Sequence, residues 1–127
     1  MLVKAALVVL TLGLIGTGFP VQELPEGVTP GMIEQGEVIF SGDGICYTCH
    51  GPDGTGGLLA PDLTLGDWIH IDGSYPSLVE LIQIGVPDPV VHPGPMPPRG
   101  GSRISDDELK AVAAYVWSLS REGAAAR

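Results

Sequence analysis

The five residues Cys46, Tyr47, Thr48, Cys49 and His50 contain both cysteines of the chain and place a histidine directly after the second. Two thiols with two residues between them lie about one helical turn apart, so both can reach the vinyl groups on one edge of a porphyrin. Thioethers formed there hold the group permanently, and the adjacent imidazole falls beneath the metal. The spacing is therefore the attachment signature of a c-type haem, with His50 as iron ligand. A redox disulfide would require a βαβ setting, and no run of β-branched strands surrounds the motif. A zinc site would require four ligands, and His70 and His92 stand at spacings that fit no common finger.

At 127 residues there is room for one domain and a short appendage. Fifteen acidic side chains against six basic ones give a net charge of −9, which argues against nucleic acid or an anionic membrane surface as a partner. Such charge either steers the chain toward a basic docking patch or simply keeps it soluble. Residues 1–20 read differently. Lys4 precedes an apolar run from Ala5 to Ile15, with Gly16 and Gly18 as small residues before Phe19, the pattern of a secretory signal. The stretch from Leu2 to Val21 is also nearly long enough to cross a bilayer if uncut. Signal or anchor, the charge asymmetry puts Glu23 and all that follows on the outer side.

Residues 21–28, with Pro25 and Gly27, read as a linker. Thr29 as N-cap and Pro30 at the first position predict a helix from Pro30 to about Phe40, with Ile33, Gly36 and Phe40 on one face. Gly36 inside it reads as a site of close helix packing. Gly51 to Gly57 is an irregular loop able to wrap a flat cofactor. A second helix is expected from about Pro76 to Ile84, carrying the stripe Leu78, Leu81 and Ile82 and stopped by Gly85. Val86 to Gly101 holds six prolines, which exclude a regular helix or a central strand. Ser105 and Glu108 then form a capping box, with Ile104 and Leu109 as hydrophobic staple. The helix that follows buries Leu109, Val112, Ala113, Val116 and Leu119 up to Ser120. The tail 121–127 is expected to fray.

The haem motif behind a first helix, with an aromatic final helix, resembles a small class I cytochrome c over residues 29–120. The run Cys49 to Gly57, then Ala60 to Leu63, then Met96, Pro97 and Pro98, then Ala114 to Ser120, is similar to the single-haem modules of cbb3-type oxidase subunits. The resemblance implies an all-α fold with terminal helices crossing around one haem c, Gly36 and Phe40 against Val112 and Tyr115. It also implies that the carbonyl of Pro61 accepts the His50 ring N–H, and a periplasmic place or one on the outer face of the cytoplasmic membrane.

Met1 lies in the leader and Met32 precedes the motif, so Met96 is the methionine left to reach the far face of the haem. It stands in a proline-stiffened loop at the family's ligand position. The competing role for a lone methionine is core filling. His70 and His92 read as ordinary surface or loop residues, with His92 as the lesser alternative ligand, which would lower the potential. Trp68, Tyr75 and Arg99 are candidate donors to haem propionates, or packing and surface residues. A His/Met pair leaves no open iron position, so the expected function is one-electron transfer between exported or membrane-bound redox partners, such as an oxidase, a reaction centre or a dehydrogenase, rather than catalysis. The rivals are a fixed haem subunit of a membrane complex, and a peroxidatic or gas-binding haem protein.

Overall fold

The computed structural model describes residues 23–126. The leader reading of residues 1–20 therefore lies outside the described residues, as does the start of the linker. Four helices follow in order: α1 (Pro30–Ser41), α2 (Tyr47–His50), α3 (Tyr75–Ile84) and α4 (Asp106–Ala125), with a 3-10 turn at Pro98–Gly101. Among the described residues there is no strand, so the all-α expectation holds.

Each helix begins where a side chain can satisfy its free N–H groups. The hydroxyl of Thr29 accepts from the Met32 N–H at 3.2 Å, and Pro30 needs no partner. Ser74 caps α3 from the Ser77 N–H, which starts that helix at Tyr75, one residue before the expected Pro76. Asp72 accepts from the Ser74 N–H at 2.9 Å and the Ser77 hydroxyl at 2.7 Å. Both bonds hold its carboxyl down at about 2. At α4, the Ser105 hydroxyl accepts from the Glu108 N–H and the Glu108 carboxylate accepts from the Ser105 N–H at 2.7 Å. Ile104 and Leu109 are both buried beside this capping box.

α4 packs chiefly on α1 and secondly on α3. At the first contact a Cβ on Gly36 would collide with the Ala111 carbonyl and stand 2.8 Å from the Tyr115 Cβ. One turn on, the Phe40 and Tyr115 rings meet edge to face, 5.4 Å between centroids and 68° between planes. Beside the expected Tyr115, the nearest neighbour of Gly36 is Ala111, while Val112 joins Phe40 in the core. Residues 111 and 115 share a face at the i, i+4 spacing, whereas Val112 is rotated by about 100° and reaches the cavity described below. Phe40, Leu78 and Val112 are the largest fully buried side chains, one each from α1, α3 and α4.

α4 continues through Ala125, beyond the expected end of its buried face at Ser120. One long-range contact and one contact within the helix accompany it. Gly123 lies against the Thr64 carbonyl where a Cβ would collide, and Arg121 sits over the Trp117 ring at 5.3 Å.

Two glycines of α1 should respond oppositely to alanine. Gly31→Ala, whose Cβ would meet only the Thr29 hydroxyl at an ordinary 3.9 Å, should stabilise by about 0.5–1 kcal/mol through helix propensity. Gly36→Ala should destabilise by about 3 kcal/mol through overpacking, and urea unfolding checks both. Asp72→Asn should lower stability at pH 7. A depressed carboxyl contributes above its unfolded value near 3.8, and that contribution is lost as the pH falls toward about 2. The difference between wild type and variant should therefore close over that range in acid titrations of the unfolding midpoint.

Candidate haem site

The helices enclose a cavity of about 410 Å³ on the side away from the Gly36 contact. Phe40, Leu78, Ile82, Val112 and Val116 form its floor, and the loops before and after α3 form its walls. Cys46, Cys49, His50, Pro61 and Met96 all line it. Residues far apart in the chain, singled out by type and spacing, are thus brought to one apolar space.

The motif is carried by the single turn α2, with Cys46 at its N-cap and the His50 N–H donating to the Cys46 carbonyl at 3.0 Å. Neither cysteine is in a disulfide. Burial pushes the Cys46 thiol up to about 11, so it stays a neutral S–H, and it points at the Gly44 carbonyl at 3.4 Å. Just before it, Ile45 holds a φ of +50°, uncommon for a β-branched residue.

The loop after the motif is bonded to itself rather than left free. The Gly56 N–H donates to the His50 carbonyl at 2.7 Å, the Leu63 N–H to Gly54 at 2.8 Å, and Asp62 accepts from both the N–H and hydroxyl of Thr64. Gly56, at φ +74°, packs 2.6 Å from the Pro61 carbonyl carbon as judged from where a Cβ would stand. These contacts fix the Pro61 carbonyl 3.2 Å from His50 Nδ1. With its proton on Nδ1, the ring donates to Pro61 and leaves Nε2 as the basic nitrogen. Burial lowers the His50 pKa, the Pro61 bond opposes that, and the charge of His92 adds to the lowering. The neutral imidazole that a metal requires is favoured.

Met96 is held by a feature that proline content had concealed. Its N–H and carbonyl exchange bonds with Val86 at 2.9 and 2.8 Å, an isolated antiparallel bridge at the end of α3. Gly85, at φ +77°, lies against the Met96 carbonyl and the Pro97 backbone where any side chain would collide. No periodicity marks a one-residue bridge, although Gly85 and the spacing of prolines leave Val86 and Met96 with the free N–H groups it needs.

Of the other candidates, Trp68 and Arg99 line the cavity. The Tyr75 hydroxyl instead reaches the Lys110 carbonyl at 3.3 Å and does not line it. Arg99 is already engaged, with the Ile104 carbonyl at 2.8 Å and the Asp106 carboxylate. His70 and His92, read from sequence as ordinary loop residues, both line the cavity.

Two thiols, an imidazole with one nitrogen engaged, and a thioether around an apolar space form a donor set that fits a covalently attached haem. A helical domain built around such a space belongs to the class of haem electron-transfer proteins. More particularly, the chain belongs to the cytochrome c family, whose model matches residues 33–120, and haem c is its cofactor. Over 85 residues it is 36% identical to the cbb3-type cytochrome c oxidase subunit CcoP of Rubrivivax gelatinosus. That alignment covers 67% of this chain and 25% of the relative, so the chain spans about a quarter of that protein's length. No solved structure matches.

Gly85→Val should break the bridge beside Met96. Hydrogen exchange of the Val86 and Met96 amides should then accelerate at least about tenfold, the ~1.4 kcal/mol expected for a lost backbone bond.

Proposed function

We propose that this chain is a one-electron carrier whose haem is joined through Cys46 and Cys49 and ligated by His50 and Met96. When bound, the haem supplies a single iron that cycles between two oxidation states. The observation that carries the reading is the convergence of both thiols, His50 and Met96 on one apolar cavity. Each residue then has a distinct task. Pro61 orients the His50 ring and raises its basicity through the Nδ1–H bond. The Val86 bridge and the flanking prolines hold Met96 with little freedom, which keeps the structural change accompanying each electron small. Ligation by the Met96 thioether together with the His50 imidazole would favour the reduced state and so a comparatively high potential. With both positions filled, no substrate reaches the metal, and the chain itself performs no bond-making chemistry.

Docking falls at the cavity mouth, where Ile45, Leu59, Ile69 and Val91 are exposed apolar side chains on the rim. Transient redox complexes use small interfaces of this kind. The acidic excess suits a partner with a basic patch around its own redox centre, and steering by such charge weakens with salt. Residues 1–20 would place the domain in the periplasm or on the outer face of the membrane, by cleavage or as an uncut anchor.

The likeness to a CcoP subunit favours a second reading, in which the domain is a fixed haem module of a larger complex. The mass of the purified protein separates the two in part: loss of the residues before Phe19 removes any anchor. For the principal reading, the oxidised protein should show the weak near-infrared band of sulfur-to-iron ligation. Met96→Ala should abolish that band and lower the midpoint potential. A wild-type protein without the band would exclude Met96 as the ligand.

A further inference from the structure

Met96 is not the only nitrogen or sulfur donor on its loop. The Val86 bridge closes a loop whose two ends meet at Met96, and His92 lies within that loop. His92 is half-buried and lines the same cavity as Met96 and His50. The loop has no helix or strand inside it, so His92 can shift while the Met96 backbone stays pinned to Val86. Gly94, between them, leans on the Leu59 backbone and fixes the loop's outer edge 2.7 Å from the Leu59 oxygen, measured from where a Cβ would stand.

We propose that His92 is a reserve ligand, which takes the position of Met96 when the methionine sulfur is lost. This rests on the reading of Met96 as ligand. In the exchange the sulfur–iron bond breaks and an imidazole nitrogen–iron bond forms. One neutral electron-pair donor replaces another, and no electron is gained or lost. The natural occasion is oxidation of the Met96 thioether by a peroxide, which delivers one oxygen atom to sulfur and leaves as water or an alcohol. A sulfoxide is a poorer sulfur donor, and without a substitute the site would open to peroxides and diatomic gases. With His92 in place it remains closed at a lower potential. The device would keep a damaged carrier from becoming a peroxidatic haem protein.

The experiment compares absorption, electron paramagnetic resonance and carbon monoxide binding in the holoprotein and its variants. His92→Ala should keep the near-infrared sulfur band, showing that the loop and Met96 are intact. Met96→Ala should lose that band yet stay low-spin, with the resonance of two nitrogen ligands and no rapid carbon monoxide binding. Met96→Ala with His92→Ala should turn high-spin and bind carbon monoxide readily, while Met96→Ala with His70→Ala should remain low-spin. A high-spin Met96→Ala protein overturns the proposal, and so does a site opened by loss of His70 rather than His92. Absence of the sulfur band in the wild type would instead remove the Met96 reading itself, so the two failures are distinguishable.

Discussion

The approach of α1 to α4 at Gly36 is the contact on which the rest of the molecule depends. With no Cβ in the way, the Ala111 carbonyl and the Tyr115 side chain come directly onto the α1 backbone, and Phe40 is seated against Tyr115. This places the C-terminal end of α1, and the short turn after it, at a fixed distance from α4. Five residues, Gly42 to Cys46, separate the end of α1 at Ser41 from the motif turn α2, so the two thiols inherit that placement. The other face of the same pair, with Phe40 and Val112, becomes the cavity floor. One helix crossing therefore sets both the scaffold and the space it serves.

In front of that floor there is little regular structure, and the walls are held by backbone bonds between segments distant in sequence. The His50–Gly56 and Gly54–Leu63 bonds shape one wall, and the Val86–Met96 bridge shapes the other. Irregular walls suit a rigid flat cofactor, since each carbonyl can be aimed individually, as Pro61 is at His50. Buried backbone groups must still find partners. Here they find them across loops, and the same bonds that satisfy the chain also orient the candidate ligands.

That division explains what could be read from sequence. Thr29, Pro30, Ser105 and Glu108 announce helix starts because capping is local, and the observed caps involve those residues. The haem motif is legible for the same reason, since its chemistry lies within five residues. The bridge at Met96, the continuation of α4 to Ala125 and the arrival of His70 and His92 at the cavity depend on partners far away in the chain. Gly123 sits in α4 where a Cβ would collide with the Thr64 carbonyl, a contact between residues 59 apart in the chain. Ala111, one step of helical rotation from Val112, meets the Gly36 backbone most closely, a detail that a 100° turn per residue hides from sequence.

Ile45 shows how the motif's position is enforced against local preference. A β-branched residue at φ +50° costs on the order of 1–2 kcal/mol, and nothing in its side chain favours the conformation. The surroundings impose it. Its N–H donates to the Gly42 carbonyl at 2.9 Å, while its own carbonyl accepts from the Thr48 N–H at 3.2 Å and the Thr48 hydroxyl at 2.6 Å. Gly44 beside it is pressed 2.7 Å from the Ile39 carbonyl, measured from where a Cβ would stand, so the chain has no room to relax toward α1. The reversal at Ile45 turns the backbone out of α1 and into α2 within a few residues, bringing Cys46 to the edge of the cavity and the Ile45 side chain to its rim. Glycine would hold the same turn without strain but would leave the rim bare. Retaining isoleucine there exchanges a small amount of stability for apolar surface at the place where electrons are proposed to enter and leave.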